Sequence, residues 1–165
     1  MEVMNRVYFS LGSNLGDRLT ILKDAIDVLA ENLGTLIRSS SFYESAAIGF
    51  EADTLFLNAC VIIDTLLSPS EILSISMNIE NEFGRIRMNK GYQSRTLDID
   101  ILFFNEEIID TDELRIPHPR LHERLFVLLP LNDLNVNCIH PELGLSIPEL
   151  IDCCPNQPIP NVIKD

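Results

Sequence analysis

The pattern of hydrophobic residues along the 165-residue chain predicts an α+β fold, two helices crossing over an antiparallel sheet. Three observations carry that expectation. One stretch repeats its apolar residues at helical spacing and a second opens with a helix-capping sequence, β-branched and aromatic runs lie between and around them, and Leu97–Ile101 alternates apolar and acidic residues as a strand does.

Val7-Tyr8-Phe9-Ser10-Leu11 reads as a buried first strand, broken by the turn chemistry of Gly12-Ser13-Asn14-Leu15-Gly16. From Asp17 to Leu33, residues Leu22, Ala25, Ile26, Leu29, Ala30 and Leu33 form one stripe of an amphipathic helix, and Gly34 supplies its stop. Thr35 to Tyr43 and Phe56 to Thr65 are strand-like and separated by a loop containing Gly49, which suggests an antiparallel pair. Ser68-Pro69-Ser70-Glu71 combines an N-cap serine, a proline at the first helical position and a glutamate able to close a capping box. It opens a second helix that runs to about Phe83 and stops at Gly84. Arg85 to Ser94 is a polar, basic loop, and Leu97–Ile101 is the fourth strand. A short hairpin around Asn105, a helical stretch from Glu123 to Leu134, a last helix around Pro148 to Cys153 and an extended cover at Pro155 to Pro160 follow as C-terminal additions. The βαββαβ order describes a ferredoxin-like sandwich, and the length suits a single domain over residues 1–165.

A formal net charge of −13 would repel a nucleic-acid backbone or an anionic membrane, so neither is an expected partner. No apolar run approaches the ~18 residues that span a bilayer, and Met1 to Arg6 shows no signal-peptide pattern. The four cysteines lack CxxC spacing and read as reduced thiols of a cytoplasmic protein. Positive charge is concentrated: Arg85, Arg87, Lys90, Arg95, Arg115, Arg120 and Arg124 are seven of the twelve basic residues. An acidic chain that gathers its cations in this way is suited to holding a small anion.

Asp98 and Asp100, two apart on a strand, project from one face while Leu97, Ile99 and Ile101 fill the other. Two like charges so placed raise one another's pKa unless a cation neutralises them, and hard divalent ions take such oxygens. A solvated strand face is the plain alternative. Arg95 beside the pair, with Arg85, Arg87 and Lys90 upstream, matches the layout of phosphoryl transfer, acids for magnesium beside arginines for phosphate. His118, between two prolines, suits either a phosphate donor or a structural turn, whereas His122 and His140 show no convincing partner. The glycine turn at 12–16 lacks a P-loop lysine and reads as structural. Phe56, Asn58 and Phe126 could enclose a flat heterocycle; on residue type alone both phenylalanines are core.

Phe9-Ser10-Leu11-Gly12-Ser13-Asn14-Leu15-Gly16, Phe56-Leu57-Asn58-Ala59, Arg95-Thr96-Leu97-Asp98-Ile99-Asp100 and Pro117-His118-Pro119-Arg120 together resemble the 6-hydroxymethyl-7,8-dihydropterin pyrophosphokinase family, from about residue 7 to the 150s. The resemblance implies that the pterin hydroxymethyl oxygen attacks the β-phosphorus of ATP and releases AMP, a step of folate biosynthesis. It implies two magnesium ions held by Asp98 and Asp100 with the triphosphate, and catalytic roles for Arg85, Arg95 and both aspartates. ATP is expected against Glu80, Arg85, Arg87, Tyr92, Arg95, Ile101, His118 and Arg124. The pterin is expected against Ser45, Ile48, Asn58, Phe56 and Phe126, in a monomer. Arg85 to Ser94 is then the loop that closes over ATP. Tyr92, Gln93-Ser94, Ser45-Ala46-Ala47 and Phe56 depart from the family's commoner residues, which bears on loop closure and on the shape of the pterin pocket.

Overall fold

The computed structural model describes residues 2–84 and 96–164. In chain order its elements are β1 (Asn5–Ser13), α1 (Arg18–Leu33), β2 (Gly34–Ser39), β3 (Phe42–Ser45), β4 (Phe56–Thr65), α2 (Pro69–Glu82), β5 (Asp98–Phe104), β6 (Ile109–Asp110), β7 (Arg115–Ile116), a 3₁₀ turn (Leu121–Glu123), α3 (Leu125–Asp133), α4 (Ile147–Cys153) and β8 (Asn161–Ile163). β1 pairs antiparallel with β4 on one side and β5 on the other, while β2 and β3 share the far edge of β4. All pairings are antiparallel in a sheet ordered β5-β1-β4-β3-β8, with β2 also on β4.

The helix ends follow their local chemistry. The Asp17 carboxylate accepts from the Thr20 backbone N–H at 3.2 Å and from its hydroxyl at 2.8 Å, which also holds the Asp17 pKa below the usual carboxylate value. At the other end Gly34 adopts φ 154°, and a Cβ there would overlap the Asp64 carbonyl, so only glycine lets α1 pass directly into β2. The capping box of α2 forms as its sequence predicts, with Ser68 N–H donating to Glu71 Oε2 at 2.8 Å.

Side-chain alternation divides the interior in two. Val7, Phe9, Leu11, Leu57, Ala59, Val61, Ile99 and Ile101 face α1 and α2, which add Leu22, Leu29, Ile72 and Ile79. Tyr8, Cys60 and Ile62 face the other way, where α3 and α4 cover them with Val127, Leu128, Leu131 and Leu150. An irregularity in the β1–β5 register lets Leu102 and Phe103 both join this second cluster. Each fully buried Leu, Ile or Phe contributes roughly 1.5–3 kcal/mol of hydrophobic stabilisation. Ser10, Gly12, Asn58, Asp98 and Asp100 lie on the same sheet face as the second cluster but outside it, and there the face stays open.

Four sequence expectations need correction. β1 continues through Gly12 and Ser13, because both still pair with β4, so the turn begins only at Asn14. The strand expected over 35–43 is two strands, since at Ser40 the hydroxyl accepts the Cys60 N–H at 2.9 Å and interrupts the ladder. Asn105 ends β5 with φ 50°, but the hairpin lies further on, between β6 and β7. The tail does more than cover: beyond Pro160 it adds β8 to the edge of β3, a pairing over more than a hundred residues that local pattern does not signal. Cys60, Cys138, Cys153 and Cys154 are free thiols, and among the described residues no helix is long and apolar enough to cross a membrane.

Candidate active site

The open part of the sheet face forms a cleft lined by side chains from three strands, the loop after β3 and the start of α3. Its floor is built by alternation: Ser10 and Gly12 from β1, Asn58 and Phe56 from β4, and Asp98 and Asp100 from β5. Strand β1 sits between the other two, so Gly12 pairs with both Asn58 and Asp98. Without a side chain Gly12 leaves room between them; a Cβ there would stand 3.2 Å from Asn58 Oδ1. Ser45, Ala46, Ile48 and Phe50 close one side, and Arg124 and Phe126 close the other from the start of α3.

One end of the cleft is charged and the other flat and apolar. Asp98, Asp100 and Arg124 share the cavity wall, two carboxylates and a guanidinium on one concave surface. The Arg124 guanidinium carbon stands 5.6 Å from the centre of the Phe126 ring, a cation–π contact that steers both side chains. Phe50 meets Phe56 edge to face, with ring centres 5.9 Å apart. Asn58 is buried, and its Nδ2 donates to Ser45 Oγ at 2.8 Å, which sets the amide orientation. The loop that carries Ile48 and Phe50 is tied down at both ends, because Arg18 donates to Glu44 Oε2 and to the Leu55 carbonyl, each at 2.7 Å. Thr54 donates to the Asn14 carbonyl, so the turn at 14–16 holds this loop, the structural role expected of it.

His118 adjoins the charged end. Its backbone N–H donates to the Leu102 carbonyl at 3.0 Å, and Nδ1 accepts the Arg120 N–H at 3.2 Å. With Nδ1 an acceptor, the neutral ring carries its proton on Nε2, which stands 3.9 Å from Asp100 Oδ2, too far for a hydrogen bond. Burial and then the Arg124 charge push its pKa down to about 4 from 6.5. The folded state therefore binds this proton less readily than the unfolded chain does. The associated stability is complete above pH 6.5 and lost as pH falls toward about 4. We expect His118→Asn to flatten the fall in melting temperature between pH 6.5 and 5, as read from thermal melts of both proteins; parallel curves would refute the assignment.

Most of the anticipated residues converge here: Asp98, Asp100, Arg124, Ser45, Ile48, Phe56, Asn58 and Phe126 all line the cleft, with His118 beside it. Two do not. Ile101 turns its side chain into the core against α1 and α2, as its odd position on β5 dictates. Glu80 is buried at 2% exposure on α2, where Oε1 accepts the Ile99 N–H at 2.8 Å and fastens the start of β5 from behind. Arg85, Arg87, Tyr92 and Arg95, with the whole closing loop and its Gln93-Ser94 departure, lie outside the described residues. Ser10, Gly12, Ala46 and Phe50 were missed. The alternation of Phe9 and Leu11 with Ser10 and Gly12 carried a signal for the first two. His140 also has partners the sequence did not suggest: it is buried, accepts the N–H groups of Glu142 and Leu143 at 3.2 Å each, and packs edge to face on Phe103.

Comparison with known proteins identifies the family. The family model described as 7,8-dihydro-6-hydroxymethylpterin-pyrophosphokinase matches residues 8–136. A 2-amino-4-hydroxy-6-hydroxymethyldihydropteridine pyrophosphokinase of Bacillus subtilis (strain 168) is 47% identical over 131 residues, covering 79% of this chain and 78% of that protein. The protein of the same name from Aquifex aeolicus (strain VF5) is 42% identical over 138 residues, covering 84% of this chain and 85% of that one. In fold, a crystal structure of a Plasmodium falciparum HPPK-DHPS superposes with a TM-score of 0.75 at 20% identity over 92% of this chain, which spans 44% of that larger chain. From the match over residues 8–136 and the identity to these relatives, the chain belongs to the 7,8-dihydro-6-hydroxymethylpterin-pyrophosphokinase family.

Proposed function

We propose that the chain transfers the terminal diphosphate of ATP to 6-hydroxymethyl-7,8-dihydropterin, giving AMP and the pterin diphosphate in folate biosynthesis. The observation that carries this reading is the single cleft in which two carboxylates and an arginine adjoin a slot lined by Phe56, Asn58, Ser45 and Phe126. A flat heterocycle fits between aromatic walls, and the Asn58 amide, held by Ser45, offers it polar edge recognition. The charged end then faces the hydroxymethyl group and the phosphates. The hydroxyl oxygen bonds to the β-phosphorus, the bond from that phosphorus to the AMP oxygen breaks, and the hydroxyl proton is released.

Asp98 and Asp100 fit magnesium: they are hard oxygen donors on adjacent same-face positions of one strand. The resemblance implies that this pair would hold two ions together with the triphosphate. Magnesium held by Asp98 and Asp100 would supply neutralisation of phosphate charge. Arg124 and the Nε2–H of His118 would bind the phosphates, a role the resemblance also gives to Arg85, Arg87, Arg95 and Tyr92 outside the described residues, while Glu80 acts indirectly through the placement of β5. The helix and strand order supports a ferredoxin-like sandwich, and a single cytoplasmic, monomeric domain over residues 1–165 is part of the proposal.

The test is incubation with ATP, magnesium and the hydroxymethyl pterin, with AMP and ADP quantified. Stoichiometric AMP is expected, whereas ADP would mean a simple kinase and no turnover would refute the reading. A second measurement isolates the pterin end. Asn58→Leu removes the amide from a site built around it, so KM for the pterin should rise by about 10²-fold with KM for ATP unchanged. Equal increases in both constants would count against the assigned pterin edge.

A further inference from the structure

Residue 124 is the point from which the cleft receives its guanidinium and, two residues on, its second aromatic wall. Its backbone is extended, φ −128° and ψ 105°, at the entrance to α3, and the Arg124 side chain makes no cap to that helix. The Arg124 N–H donates to the Leu121 carbonyl at 3.3 Å and its carbonyl accepts from Val127 and Leu128 at 3.0 Å each, and the C-terminal tail adds a restraint on both neighbouring residues. Gln157 Oε1 accepts the Leu125 N–H at 3.1 Å, and Gln157 Nε2 donates to the Glu123 carbonyl at 2.9 Å. One planar amide is thus bonded to both neighbours of Arg124. It supplies an acceptor for a first-turn N–H that has none within the helix, and it fixes the peptide planes on either side of residue 124.

The amide is itself anchored. Nε2 also lies 3.0 Å from the Pro155 carbonyl and 3.3 Å from Cys154 Sγ, and the tail is held by α4 on one side and by the pairing of β8 with β3 on the other. Gln157 lies beyond the residues 8–136 that the family model matches.

We infer that Gln157 is a positioning residue of the active site: its side chain clamps the backbone on both sides of Arg124 and so holds the Arg124 guanidinium in the cleft. The inference rests on the cleft being the site of diphosphate transfer, and the test separates the two. In the full-length protein, Gln157→Leu is compared with Arg124→Met and with the double variant. We expect kcat/KM to fall by about 10-fold in Gln157→Leu and by about 10²-fold in Arg124→Met, with the double variant no worse than Arg124→Met, because the first residue acts through the second. Amide exchange at Leu125, followed by NMR, should quicken by about 10-fold in Gln157→Leu. Gln157→Glu keeps the acceptor and loses the donor, so it should fall between wild type and Gln157→Leu and serves if the leucine variant does not fold. Multiplying losses, unchanged turnover or unchanged Leu125 exchange would each overturn the clamp. An inactive wild-type protein would overturn the assigned reaction instead, leaving Leu125 exchange to decide the clamp.

Discussion

Asp98→Asn and Asp100→Asn should each lower pterin-dependent AMP formation by about 10³-fold while moving the melting temperature by no more than a few degrees. The amide keeps the shape of the carboxylate and removes its charge, so the change isolates the electrostatic role. Both positions line the cleft from the start of β5, and neither side chain belongs to the hydrophobic clusters that hold the sheet. Losing one anionic donor from a two-carboxylate cation site removes neutralisation of phosphate charge when it matters most, and a 10³-fold loss corresponds to about 4 kcal/mol of transition-state stabilisation. Chromatographic AMP assays with parallel thermal melts check this. A variant that retained a tenth of wild-type turnover would rule out magnesium binding at that carboxylate. A large drop in melting temperature would instead make the pair structural.

The largest effect on stability is expected at Phe9. It is fully buried on β1, the strand flanked by β4 and β5, and it packs in the cluster beneath α1 and α2. Phe9→Ala leaves a cavity that a hydrogen-bonded sheet cannot close, at a cost of about 3–5 kcal/mol. For a chain of this length that is roughly 10–15 °C in melting temperature. Leu36→Ala, at an exposed position on β2, should change stability by less than about 0.5 kcal/mol. Denaturant and thermal unfolding of both variants provide the comparison, and equal losses would show that burial is not what distinguishes the sites.

His118, Asn58 and Gln157 test different links of the same design. The His118 measurement reads a group whose burial disfavours protonation. The Asn58 measurement reads edge recognition, and Gln157 reads the backbone that carries Arg124. A protein failing only the last would keep its reaction and lose its efficiency.

Local chemistry settled the helices and the aspartate pair. Asp17 and Gly34 bound α1, the Ser68–Glu71 box opens α2, and the period-two pattern at Leu97–Ile101 places Asp98 and Asp100 together on one face. Each depends on residues a few positions apart, the range over which caps and periodicity act. The resemblance carried by short blocks from Phe9 to Arg120 indicated which of those residues meet. Tertiary structure alone decided that Gly12 pairs with both Asn58 and Asp98, that Glu80 is buried behind β5, and that β8 and Gln157 return to β3 and α3. These contacts join residues separated by long stretches of chain, and they exist only because antiparallel pairing and helix packing bring distant segments within a hydrogen bond of one another.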